Sequence, residues 1–161
     1  MATSNLSEYN KEGVPNGSPF SVSIITAEWN NNITDNLLQG AYDTLIDCGV
    51  EAANISRHSV PGTYELASAA KMVLEANAEV DAVICLGSVI QGQTKHFDFV
   101  CEAAAHGIMN VGLEYNKPVI FGVLTDNNLQ QAIDRSGGKL GNKGVECAVA
   151  CLKMIGLKNK L

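Results

Sequence analysis

A histidine follows a short polar stretch in the segment Gly92-Gln93-Thr94-Lys95-His96-Phe97-Asp98-Phe99, which closely follows an apolar run, Asp81 to Gly87. Gly92 lets the backbone come close to a ligand. The helix expected to begin at His96 leaves its first N–H groups free, and these suit an anion such as phosphate, with the Thr94 hydroxyl adding a bond. The positive end of a helix dipole disfavours a charged imidazole. A neutral His96 there can give or take a proton near pH 7. The competing role for His96 is a helix cap or a surface residue. His58 sits in a strand-like segment and His106 inside a helical one, so both read as structural.

Other chemistry-bearing residues sit at similar punctuation points. Trp29, the only tryptophan, lies in the polar loop Glu28-Trp29-Asn30, where it offers either a flat stacking surface for a ring or a packing plate for a neighbouring chain. Pro61-Gly62 forces a turn before Thr63-Tyr64-Glu65, and Thr63 is the expected N-cap of the helix that follows. Glu65 in the first turn complements the helix dipole; its other role is to accept hydrogen bonds from substrate hydroxyls. Of the two arginines, Arg57 alternates along a strand, while Arg135 precedes the glycine-rich turn Ser136 to Gly144, which also carries Lys139 and Lys143. Arg135 can cap a helix C-terminus or reach an anion. Phe121 lies mid-strand, a position open to a core role. One aromatic plate, one acid, one histidine, an anion-binding helix start and a cationic turn suit a small phosphorylated substrate plus a flat ring.

These residues need a scaffold, and the hydrophobic pattern supplies one. Strands are expected over Phe20 to Ala27, Asn54 to Val60, Asp81 to Gly87 and Pro118 to Leu124. Helices are expected from Ile33 to Cys48, from Thr63 to Glu75, from His96 to Tyr115, from Asn128 to Arg135 and from Val145 to Ile155. The third strand is apolar throughout, as a strand covered on both faces would be. The order β-α-β-α-β-α-β-α-α implies an α/β fold, a three-layer sandwich with a central four-stranded parallel sheet and helices on both faces. Ligands in such sheets bind beyond the carboxyl ends of the strands, where the residues named above fall. Residues 1–19, rich in Ser, Asn, Gly and Glu, read as a flexible N-terminal arm, and 20–161 as a single domain.

Composition narrows the function classes. The chain has 161 residues, enough for one domain with a real core. Its formal net charge of -6 and the absence of a Lys/Arg cluster, apart from the short tail Lys153, Lys158 and Lys160, argue against nucleic-acid binding. No apolar run reaches membrane-spanning length, and the N-terminus has no signal-peptide pattern. The five cysteines form no Cys-x-x-Cys pair; they read as reduced, small hydrophobes of a cytoplasmic protein. Cys147 and Cys151 are four apart without a third ligand, so no metal is expected.

Five ordered segments together resemble the lumazine synthase family: "EWN" at 28–30, "VPGTYELASAAK" at 60–71, "LGSVIQGQTKHFDFVCEAAAHGIM" at 86–109, "PVIFGVLT" at 118–125 and "AIDRSGGKLGNKGVECA" at 132–148. The resemblance runs from about Val22 to Leu157. It implies a flavodoxin-like order of strands and a transferase of riboflavin biosynthesis. The reaction condenses 5-amino-6-(D-ribitylamino)uracil with 3,4-dihydroxy-2-butanone 4-phosphate, releases phosphate and water, and needs no cofactor.

The resemblance also implies roles. Trp29 stacks on the pyrimidine, where many relatives carry Phe. Thr63, Tyr64 and Glu65 line the ribityl and ring site. Ser88, Val89 and Ile90 hold the pyrimidine edge largely through backbone groups. Gln93 and Thr94 bind the phosphate, and His96 is the acid/base. Phe121, Arg135 and Lys143 come from the neighbouring subunit. Gln91 stands where relatives often have a basic residue and Gln93 where a small or acidic one is more usual; the helix start argues for a backbone contact at Gln93. Lys95 is left unassigned and reads as a solvated residue. The implied assembly is a homo-oligomer, a pentamer with active sites between subunits. The short, uninserted turn Gly137 to Gly144 resembles that of members that build sixty-subunit icosahedral shells, and riboflavin synthase is a candidate partner. The arm is expected to add a strand to a neighbour's sheet. Two competing readings are a non-catalytic shell or flavin-binding protein on the same scaffold, and the archaeal-type riboflavin synthase, which dismutates two lumazine molecules.

Overall fold

Alternation of apolar side chains along two central strands builds both faces of this molecule. The computed structural model describes residue 5 and residues 7–161. Its strands are β1 (Val22–Ala27), β2 (Ile55–Val60), β3 (Ala82–Ile90) and β4 (Val119–Asp126), all parallel, in the order β2-β1-β3-β4. Successive strand residues point to opposite faces. Val22 and Ile24 of β1 join Ala82, Ile84 and Leu86 of β3 in one buried cluster, whereas Ile25 and Ala27 join Val83 and Cys85 in the other.

The helices follow from the handedness of parallel connections. They are α1 (Asn31–Asp47), α2 (Leu66–Ala76), α3 (His96–Tyr115), α4 (Leu129–Arg135) and α5 (Lys143–Lys158). The connection from β1 to β2 runs in the opposite direction across the sheet to those from β2 to β3 and from β3 to β4. With right-handed crossovers, α1 must therefore lie on one face and α2 and α3 on the other. Accordingly Leu37, Ala41 and Leu45 of α1 share a cluster with Cys147, Cys151 and Leu152 of α5, and Leu66, Ala70 and Leu74 of α2 share one with Ile108 and Val111 of α3. The close approach of α1 and α5 depends on Gly144, whose missing side chain leaves room for the Leu37 carbonyl. This is the three-layer α/β sandwich expected from the sequence.

Several local expectations change. Strand β3 continues through Ser88, Val89 and Ile90, and β4 continues to Asp126, because the two strands pair residue for residue from Val83 and Val119 to Ile90 and Asp126. Ser88, Val89 and Ile90 are thus strand rather than loop. Thr63 is not a side-chain cap: Gly62 precedes a 3-10 turn, Thr63–Glu65, and α2 starts only at Leu66. Phe121 is not core; β4 is an edge strand and leaves the ring 38% exposed. Ile46 of α1 is 39% exposed. The glycine-rich turn forms a small antiparallel ribbon, β5 (Ser136–Gly138) with β6 (Gly141–Asn142), and α5 begins earlier and ends later than its apolar periodicity suggests.

Residues 1–4 and 6 of the arm lie outside the described residues. The described part lies against the C-terminal end of α1. The Tyr9 hydroxyl and the Lys11 ammonium both donate to Asp47 at 2.9 Å, and the Gly17 N–H donates to the Cys48 carbonyl at 2.8 Å. The Lys11 and Tyr9 bonds hold the Asp47 carboxyl below its ordinary range.

Four of the cysteines are buried and Cys101 is half-buried, all as free thiols. Burial pushes Cys147 up to about 12 and raises Cys85 and Cys151 further, which suits inert packing groups. Among the described residues no helix is long and apolar enough to cross a membrane.

Candidate active site

The strand order reverses between β1 and β3, and in open parallel sheets that switch point opens a crevice at the carboxyl ends of the strands. Three of its walls come from three successive strand ends. After β1 stands Trp29, 66% exposed. Its ring packs over Gly62, which follows β2: a Cβ built on Gly62 would lie 2.6 Å from Trp29 Cε3 and 3.1 Å from Glu65 Oε2. Only glycine at 62 therefore lets the ring and the carboxylate approach one another here. Asn30 then bridges to β3, its side-chain amide donating to the Ser88 carbonyl at 2.9 Å. Asn30 adopts the left-handed conformation (φ 62°), which asparagine tolerates better than most residues, and Ile33 and Thr34 donate back to its carbonyl.

One polar atom in this crevice, the buried Glu65 Oε2, has no hydrogen-bond partner among the described residues. Ser88 Oγ is also unpartnered, but it follows Ile84 and Leu86 onto the α1–α5 face of the sheet. Leaving a buried polar group unmatched costs roughly 1–3 kcal/mol. Such atoms are commonly satisfied by something that arrives. Thr63 is buried against Gly87 of β3, and Tyr64 stands exposed at the rim.

The segment between β3 and α3 is open to solvent. Residues Gln91 to His96 are exposed, and α3 begins at His96. The Thr94 hydroxyl accepts from the His96 N–H at 3.4 Å and, as the acceptor, keeps its own proton free to donate. Lys95 has no side-chain capping bond and its residue is exposed, in keeping with solvation. The loop is tied to the sheet by the Gln91 N–H, which donates to the Asp126 carbonyl at 2.8 Å.

Arg135 and Lys143 form a separate group around Glu146, whereas the Phe121 side chain shares the β4 face of Val119 and Val123, away from α5. Arg135 donates from Nη1 to the Leu140 carbonyl at 3.0 Å and from Nη2 to Glu146 Oε1 at 2.7 Å. Lys143 Nζ lies 3.0 Å from Glu146 Oε2. Lys139 pairs instead with Asp134 at 3.1 Å, and Gln130 and Lys139 together hold the Asp134 carboxyl below its ordinary range. Among the described residues no hydrogen bond or ion pair joins this group to Trp29, Glu65, Ser88 or His96. The other arginine, Arg57, lies over the Tyr42 ring at 5.3 Å on the β2 edge.

Three contributors escape the sequence reading. Asn30 stands in a quoted motif, but only the left-handed turn reveals that its amide crosses to β3. Asp126 has a buried Oδ2 without a partner; burial raises its carboxyl above the ordinary range, while nearby Arg135 opposes this. Glu146 has the spacing of an ordinary first-turn acid, three residues after Lys143.

Fold and crevice together define an α/β domain whose switch-point crevice lies beside the start of a helix. A sequence profile of 6,7-dimethyl-8-ribityllumazine synthase matches residues 19–159. Proteins of that name from Flavobacterium johnsoniae and Cytophaga hutchinsonii are each 54% identical, the first over 96% of this chain and 82% of its own length, the second over 96% of both. The one from Christiangramia forsetii is 48% identical over 98% of this chain and 95% of its own. The chain belongs to the 6,7-dimethyl-8-ribityllumazine synthase family.

Proposed function

We propose that this chain is a transferase of riboflavin biosynthesis that condenses 5-amino-6-(D-ribitylamino)uracil with 3,4-dihydroxy-2-butanone 4-phosphate, giving 6,7-dimethyl-8-ribityllumazine, phosphate and water. The observation that carries the reading is the unpartnered buried Glu65 Oε2 beside the exposed Trp29 ring. A ribityl hydroxyl can donate to the carboxylate and a pyrimidine edge can meet the β3 terminus, while the ring stacks on Trp29. Thr63 and Tyr64 complete that wall, and Val89 and Ile90 continue the edge.

The butanone phosphate binds at the start of α3, through free N–H groups at and around Gln93 and the Thr94 hydroxyl. His96, in the first turn, moves protons during Schiff-base formation, phosphate elimination and ring closure. The amine and ketone can react without help once aligned, so most of the acceleration comes from holding both substrates in register. Phe121, Arg135 and Lys143 of a neighbouring subunit close the site, Arg135 on the phosphate and Lys143 on the ring side.

That arrangement requires a homo-oligomer. Exposed apolar side chains support one: Phe99, Met109 and Leu113 on α3, Phe121 on β4, and Met154 and Leu157 on α5. The assembly we propose is built from pentamers with sites between subunits, arranged in a sixty-subunit shell and located in the cytoplasm. Sedimentation showing only a species of pentamer mass would refute the shell. Mixing both substrates with the purified protein and following lumazine fluorescence tests the activity; a protein that binds flavins but forms no lumazine would be a non-catalytic member of the fold.

A further inference from the structure

Two cations end on one carboxylate in this molecule. Arg135, the last residue of α4, and Lys143, the first of α5, are separated by the β5–β6 ribbon, yet Glu146 takes Arg135 Nη2 on Oε1 at 2.7 Å and Lys143 Nζ on Oε2 at 3.0 Å. The side chains of Arg135 and Glu146 are each only 14% exposed. The Leu140 carbonyl takes a second guanidinium nitrogen, Nη1. Glu146 therefore fixes Arg135 through one oxygen while fixing Lys143 through the other.

An acid in a first turn, three residues after a lysine, ordinarily does no more than complement the helix dipole. That role accounts for the Lys143 contact. It does not account for an arginine eleven residues earlier, on another helix, held by a short charge-assisted bond at a largely buried position. The guanidinium is a planar fork, so fixing Nη1 and Nη2 sets the plane in which its remaining N–H groups project. The three charges leave one net positive charge on the unit, which remains attractive to a phosphate.

We propose that Glu146 is a positioning residue that aims Arg135 and Lys143 together, coupling the phosphate side of the site to its ring side through a single carboxylate. This rests on the reading above that Arg135 serves the phosphorylated substrate and Lys143 the pyrimidine. Removing the shared carboxylate weakens both substrates in one variant, whereas removing either cation weakens one substrate.

Steady-state kinetics on the intact assembly separate these outcomes. Arg135→Ala is expected to raise KM for the butanone phosphate and Lys143→Ala to raise KM for the pyrimidine. Glu146→Gln, which keeps shape and removes charge, is expected to raise both, each on the order of tenfold. Glu146→Asp, which keeps the charge on a shorter stem, should recover part of one or both. In the Glu146→Gln background, Arg135→Ala should add little further loss, because the arginine is already unaimed. If Glu146→Gln lowers only thermal stability or active-site content and leaves both KM values at wild type while the two cation variants behave as expected, Glu146 is a helix-stabilising residue and the proposal is overturned. If Arg135→Ala and Lys143→Ala leave both KM values unchanged, the assignment of the cations to the site fails instead. Should Glu146→Gln not fold, the Glu146→Asp comparison and the Arg135→Lys variant, which keeps charge but loses the fork, carry the same test: unchanged KM values in both would overturn the coupling.

Discussion

Asn30 and Ser88 tie the first and third strands together at the mouth of the crevice, through a 2.9 Å bond from the Asn30 amide to the Ser88 carbonyl. The bond spans the switch point itself. It holds the Trp29 loop against the strand proposed to carry the pyrimidine edge, and it uses a residue already in the left-handed region. Asn30→Ala loses the bond and adds backbone strain, so we expect roughly 1–2 kcal/mol of destabilisation together with weaker pyrimidine binding. Asn30→Gly loses the bond without the strain. Denaturation midpoints and KM for the pyrimidine, compared between the two variants, separate the contributions. Equal stability of both variants and wild type would show that the bridge holds nothing.

Gly62 sets the position of the tryptophan ring. A methyl group there would meet Cε3 and Cζ3 of Trp29 at 2.6 and 2.7 Å, closer than carbon atoms approach. The ring is largely exposed and has room to swing away, so the cost of Gly62→Ala falls on the site more than on the fold. We expect a changed fluorescence from the only tryptophan, a raised KM for the pyrimidine and a small shift in melting temperature. Unchanged emission would mean that the ring does not rest on residue 62.

Removing the imidazole should slow the reaction without abolishing it. With alignment contributing most of the rate, His96→Ala is expected to lose no more than roughly the 10²–10⁴-fold typical of a general acid–base group, with both KM values little changed. Wild-type kcat in that variant would remove His96 from proton transfer.

Asp126 makes stability depend on pH with a definite sign. Burial raises its carboxyl in the folded protein, with Arg135 partly opposing. A carboxyl raised on folding favours the folded state below its unfolded value, and this contribution is lost as pH rises through the folded value. At neutral pH the charged, partly buried carboxylate is therefore a liability. Asp126→Asn should raise the melting temperature near pH 7, and the gain should vanish on acidification below about pH 4, the ordinary range of an aspartate. A gain that is the same at both pH values would locate the effect in packing rather than in charge.

Much of this was legible in the residues. The runs around Ile24 and Ile84 state a buried parallel sheet, because β-branched and apolar side chains without a polar face need cover on both sides. The start of α3 at His96 also reads directly, since an apolar period takes over from a polar stretch there. Strand ends were less legible: Ser88 to Ile90 look like loop residues until β4 lies alongside and continues the ladder. The polar composition of 1–19 reads as a flexible arm; within it Tyr9, Lys11 and Gly17 find partners some thirty to forty residues onward, which composition does not disclose.

The sequence by itself determined the α/β class, the family and the residue types available for chemistry, since these depend on local periodicity and on ordered motifs. Only the tertiary structure decided which of those residues share a site. It brought Trp29, Glu65 and Ser88 from three separate strand ends to one switch point, left Phe121 at an open edge, and placed Arg135 and Lys143 on a single carboxylate. Contacts of this kind depend on strand order and helix packing, which pair residues far apart in the chain and so leave no local trace in it.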